Sequence, residues 1–79
     1  MSPTVFKQGP YRFFFFSREE ARPHVHVQCA DGEAKFWIDP AVALAVNVGL
    51  TKRQLLTLEK IITERRHEIR QAWQDHFGR

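Results

Sequence analysis

His24-Val25-His26-Val27-Gln28-Cys29-Ala30-Asp31-Gly32-Glu33-Ala34-Lys35-Phe36-Trp37-Ile38 decides how this chain is read. Val25 and Val27 alternate with His24, His26 and Gln28, and period two is the signature of a strand with one face on a core. Asp31-Gly32 is a favourable hairpin turn. Beyond it Glu33 to Ile38 alternates again, with Ala34, Phe36 and Ile38 inward, until Asp39-Pro40 breaks the pattern. The stretch therefore predicts an antiparallel hairpin, with two histidines and a glutamine on its outer face.

Working outward, Thr4-Val5-Phe6-Lys7 is a short strand closed by Gly9-Pro10, a strong turn signal. Tyr11-Arg12-Phe13-Phe14-Phe15-Phe16 follows. Four consecutive phenylalanines abandon alternation, so both faces of that strand need cover, a helix on one side and something else on the other, for which a second subunit is a natural candidate. Ser17 to Pro23 is polar and reads as a loop. Ala41 to Val48 is continuously apolar, a buried strand or a short helix, and its valines and leucine favour strand.

The carboxy-terminal third reads as helix. Thr51 with Gln54 three residues on is a capping box, no Gly or Pro interrupts Lys52 to Phe77, and Gly78 ends the run. Leu55, Leu58, Ile62, Ile69, Trp73 and Phe77 make one apolar stripe at helical spacing. Arg66 sits inside that stripe, where an apolar residue is expected. Either the helix breaks near Arg65-Arg66, or its second half packs on another molecule; the second is our expectation. The fold class expected is α+β: a small, mostly antiparallel sheet of four to five strands with one long C-terminal helix packed on it, in a single domain over residues 1–79.

The chain has 79 residues, 43% hydrophobic and 27% charged. That length excludes a two-lobed enzyme or a full dinucleotide-binding sheet, and a core this small is marginal unless it is oligomeric. One cysteine cannot make an internal disulfide, which fits a cytoplasmic location. No apolar run approaches a membrane span, and Met1-Ser2-Pro3 does not begin a signal peptide. The formal net charge of +3 lies wholly after residue 50, where Lys52, Arg53, Lys60, Arg65, Arg66, Arg70 and Arg79 outnumber Glu59, Glu64, Glu68 and Asp75.

Three groups of residues carry possible chemistry. His24 and His26, two apart on a strand, can chelate one metal ion, but no further ligand stands at a recognised spacing, so neither metal nor cofactor is expected. His24 to Gln28 also resembles the strand motif of the histidine-triad nucleotidyl transferases, with Gln28 where a third histidine often stands; that resemblance implies a nucleophilic His26 supported by His24. A related reading is a small nuclease or phosphotransfer enzyme, with His24 and His26 as acid and base and Arg12 steadying charge. The plainer alternative keeps both histidines hydrogen-bonded on the outer face beside Lys35 and Trp37, a polar-aromatic surface suited to a ligand. Arg65, Arg66 and Arg70 are able to hold phosphates, unless Glu59, Glu64 and Glu68 neutralise them along the helix. Ile69, Trp73 and Phe77 end the helix as core packing or as a partner interface.

Tyr11-Arg12-Phe13-Phe14-Phe15-Phe16-Ser17, Arg22-Pro23-His24-Val25-His26-Val27, Asp31 to Trp37, and Gly49-Leu50-Thr51 before a helix ending in Ala72-Trp73 together resemble a prokaryotic family called domain of unknown function 4160. The resemblance runs from about Val5 to Phe77, and Pro23-His24-Val25-His26 is its most specific part. Where this chain has Arg22, members often have a proline or an acid. The resemblance implies a bacterial protein encoded beside another small protein, in pairs proposed as toxin–antitoxin modules. The expected function is thus a non-catalytic module that binds a neighbouring protein, nucleic acid or a second copy of itself, with no membrane partner.

Overall fold

Alternating side chains and tight turns build a five-stranded antiparallel meander, β1-β2-β3-β4-β5 in spatial as in chain order. The structure is a computed structural model and describes residues 4–16 and 21–78. The amino-terminal residues 1–3, residues 17–20 of the expected loop, and Arg79 lie outside the described residues. The strands are β1 (Thr4–Gln8), β2 (Tyr11–Phe14), β3 (His24–Cys29), β4 (Gly32–Trp37) and β5 (Ala43–Val48). Two helices follow, α1 (Lys52–Glu64) and α2 (Arg66–Phe77).

Each turn has a local cause. Gly9 adopts φ 58° between β1 and β2, a left-handed conformation that glycine takes without a Cβ clash. The β3–β4 hairpin turns one residue earlier than the Asp31-Gly32 pair, because Cys29 pairs with Gly32 across the ladder. Gly32 is needed for another reason: a Cβ there would lie 2.0 Å from the carbonyl oxygen of Val48 on β5.

Phe13, Phe15, Val25, Val27, Ala34, Phe36 and Ile38 form the inner sheet face and are buried against Leu58, Ile61 and Ile62 of α1 and Ile69 and Trp73 of α2. The phenylalanine run splits between the faces, with Phe13 and Phe15 in the core. Phe14 points outward and is nonetheless buried, under its own neighbours Arg12, Phe16 and His26. The second subunit expected over this strand is not what shields Phe14.

The single long helix is corrected to two. Thr51 and Gln54 cap α1 reciprocally, as their spacing predicts. The helix then pauses at Arg65, with φ −109° and ψ 19°, although neither Gly nor Pro is present. A straight helix from 52 to 77 would be about 39 Å long, more than the 36 Å longest dimension of the molecule. Arg66 begins α2 and binds the end of β4, so the turn keeps Ile69 and Trp73 on the same core as Leu58 and Ile62. The break, not a second molecule, accounts for the arginine inside the apolar stripe.

Ala41 to Val48 is also corrected. Its residues Ala43 to Val48 form a strand, but an exposed edge rather than a buried one, with Leu44, Val46 and Val48 at 45%, 49% and 60% exposure. An uncharged apolar run is the usual mark of a central strand, so the local pattern points to burial while the topology leaves this strand at the edge.

Candidate functional site

β2, β3 and β4 place their outward residues side by side. Their register sets Phe14 opposite His26 and His26 opposite Lys35, with His24 opposite Trp37 one step along. Arg12 lies opposite Gln28. Apart from Trp73 of α2, which meets His24 at one end, the described helices lie against the other face.

Aromatic rings and cations make one layer here. The His26 ring centroid lies 5.5 Å from Phe14, 4.4 Å from Phe16 and 5.0 Å from His24. Arg12 covers Phe14 at 4.4 Å, while Arg22 and Lys35 cover Trp37 at 4.2 and 4.5 Å. Cations over ring faces are held by the ring quadrupole, each worth about 0.5–1 kcal/mol when exposed. Phe16 remains 42% exposed. Lys7 faces Arg12 across β1 and β2, like charges opposite one another that raise the positive potential and cost stability. Glu33, opposite Gln28, is the acid on this face among the described residues.

The two histidines are not equivalent. His24 is fully buried, and its Nδ1–H donates to the Arg22 carbonyl at 2.8 Å. Trp73 packs at 5.0 Å from His24 and 5.3 Å from Phe15, closing the end of the sheet where its two faces meet. His26 is half-buried and shares the outward layer. A pair of proton-transfer groups needs both imidazoles within reach of a substrate, and here one is sealed. Among the described residues, no cluster of three His, Cys, Asp or Glu side chains is arranged to hold a metal ion.

Arg12, the third member of that constellation, is turned along the sheet. Its Nε donates to Thr4 Oγ1 at 2.8 Å. The three helix arginines do not form one patch. Arg65 chelates Glu68 with two bonds, of 2.9 and 2.8 Å, donates to Gln8, and covers Phe6 at 3.4 Å. Arg66 and Arg70 both turn to Asp39 at the end of β4, and Arg66 also donates to the carbonyls of Ile38 and Pro40 at 2.7 and 2.8 Å. Of the expected helix acids, Glu68 alone neutralises an arginine among the described residues. Ile69 and Trp73 are core residues, and of the proposed partner contacts only Phe77 keeps exposed surface.

Asp39 and Phe16 are the contributors that the sequence alone does not single out, whereas Trp37 stands on the expected face. Asp39 reads locally as a strand breaker before Pro40; no spacing connects it to arginines 27 and 31 residues away.

A family model described as Domain of unknown function (DUF4160) matches residues 11–74, from the start of β2 to the last turns of α2. No curated protein and no solved structure matches the chain. No helix among the described residues is long and apolar enough to cross a membrane.

Proposed function

This chain belongs to the DUF4160 family, and from that starting point we propose that it is a non-catalytic binding module, one component of a toxin–antitoxin-type pair, whose outer sheet face holds a small partner protein encoded nearby. The observation that carries this reading is the cation–aromatic layer of Arg12, Phe14, Phe16, His26, Lys35 and Trp37. Such a layer offers apolar area with fixed positive charge, the combination that takes an acidic, partly apolar protein segment. The rival enzyme, with His24 and His26 as acid and base, is disfavoured by the burial of His24.

A nucleic-acid partner is the second reading, favoured by the exposed Phe16 ring beside those cations, since single strands stack on aromatics in basic grooves. Both readings are tested by one set of proteins: wild type, Lys35→Glu and His26→Ala, each tagged and co-expressed with the product of the neighbouring gene. Co-purification that wild type shows and Lys35→Glu loses supports the binding module. Co-purification unchanged in both variants overturns the proposed face. Tight, salt-sensitive binding of a labelled oligouridylate, read by fluorescence anisotropy, assigns the face to nucleic acid instead. Growth arrest on inducing the protein alone, removed by His26→Ala with the fold intact, returns the enzyme reading.

A further inference from the structure

The two edges of the sheet are built differently. β1 carries Lys7, and Arg65 covers its Phe6. β5 reads Ala-Leu-Ala-Val-Asn-Val, with neither a charge nor a proline, and it exposes Leu44, Val46 and Val48. Soluble proteins guard edge strands with charge, proline, a bulge or cover, because an open edge templates pairing with another strand; β5 has a register shift opposite Lys35 and Phe36, but no charge and no proline.

The neighbouring face of α1 continues the apolar edge. Leu44 and Phe36 line a groove of about 190 Å³ with Leu55, Leu56, Lys52 and Glu59. Leu56 is 57% exposed. Lys52, Leu56 and Glu59 are four and three residues apart, so they share one helical face. The charges at its ends lie about 10 Å apart along the axis, with the midpoint between Leu55 and Leu56. Among the described residues neither Lys52 nor Glu59 has an ion-pair partner.

We infer that this edge is the interface of a symmetric dimer, in which β5 pairs antiparallel with β5 of a second copy and α1 lies antiparallel against its counterpart. One twofold axis perpendicular to the sheet generates both contacts, since reversing the strand reverses the helix above it. The charge pattern selects a second copy as occupant. An axis through the midpoint at Leu55 and Leu56 puts Lys52 of each protomer against the partner's Glu59, twice, and packs Leu56 on the partner's Leu56. The uncharged strand adds no like-charge repulsion to its own antiparallel image. Pairing makes one ten-stranded sheet with all helices on one side, and joins the two outer faces into a single surface.

Sedimentation velocity over a concentration series tests this without reference to any binding partner of the outer face. The wild type is expected to sediment as a dimer of 9.3 kDa chains. Lys52→Glu and Glu59→Lys each set like charges across the axis and are expected to raise the dimer dissociation constant by about tenfold or more, roughly 1.4 kcal/mol. The double swap restores opposite charges and returns the dimer. Val46→Lys, on an exposed strand position, gives a folded monomer. Circular dichroism melts of these surface variants separate dissociation from unfolding. A wild type that stays monomeric throughout the series, single swaps that leave the dimer intact, or a double swap that stays monomeric overturns the inference.

Discussion

Arg66 and Asp39 stand 27 residues apart in the chain and 3.0 Å apart in the fold. The same carboxylate oxygen accepts from Arg70, and Arg22 donates to the Asp39 carbonyl at 2.9 Å. With the Ile38 and Pro40 carbonyls also on Arg66, the loop between β4 and β5 is tied to the first turns of α2. A planar guanidinium suits this work because it presents several donors in a fixed fork. Two cations on one half-buried carboxylate outweigh a single exposed ion pair, whose worth is about 0–1 kcal/mol.

Asp39→Asn is therefore expected to destabilise the protein by about 1–3 kcal/mol. In a domain of this size that lowers the melting temperature by about 4–24 °C. Arg66→Lys keeps the charge and still loses stability, because one ammonium cannot reach three acceptors spread over Ile38, Asp39 and Pro40. Melting temperatures equal to wild type in both variants would remove the loop anchor from the account.

Trp73 joins α2 to the sheet end through Phe15 and His24, and packs on Phe77 of its own helix. Its truncation to alanine removes the largest buried ring of that corner and is expected to cost about 3–5 kcal/mol. Trp73→Phe keeps most of the contact and costs less. Urea unfolding of the two variants should rank them in that order; equal midpoints would show that the corner is not closed by the indole.

His24→Ala and His26→Ala separate structure from surface. The first empties a fully buried position bonded to Arg22 and is expected to lose about 2–4 kcal/mol. The second, at a half-buried position, is expected to lose about 1 kcal/mol or less. Thermal melts that rank the two the other way would contradict the burial assigned to them.

The two turn glycines differ in what an alanine meets. At Gly9 the space is open, and only the left-handed φ of 58° opposes a side chain, a cost of about 1 kcal/mol. At Gly32 the new Cβ would lie 2.0 Å from the backbone oxygen of Val48, so β4 and β5 must separate. Gly32→Ala should melt well below Gly9→Ala. A Gly32→Ala protein with full stability would mean that β5 sits farther from the hairpin.

Much was legible in the linear order of residues. Alternation in His24 to Ile38 specifies the central hairpin, and the turn glycine and prolines separate the other strands. Thr51 and Gln54 start a helix wherever that tetrapeptide meets an apolar stripe. These are local rules: side-chain direction on a strand and cap geometry on a helix are decided within a few residues. They suffice for an α+β class and for a face bearing His26, Lys35 and Trp37.

What tertiary structure alone decided are the facts that depend on closing the chain. That Ala43 to Val48 is an edge, not a centre, follows from the absence of a sixth described strand beside it, which no local pattern encodes. That His24 is sealed while His26 is half open follows from where Trp73 lands after the helix breaks at Arg65. The break itself follows from Arg66 meeting carbonyls and a carboxylate nearly thirty residues upstream. Short-range sterics and hydrophobic period write the elements into the sequence. Long side chains choose their partners only after those elements have packed, because that choice is made by distance in space and not along the chain.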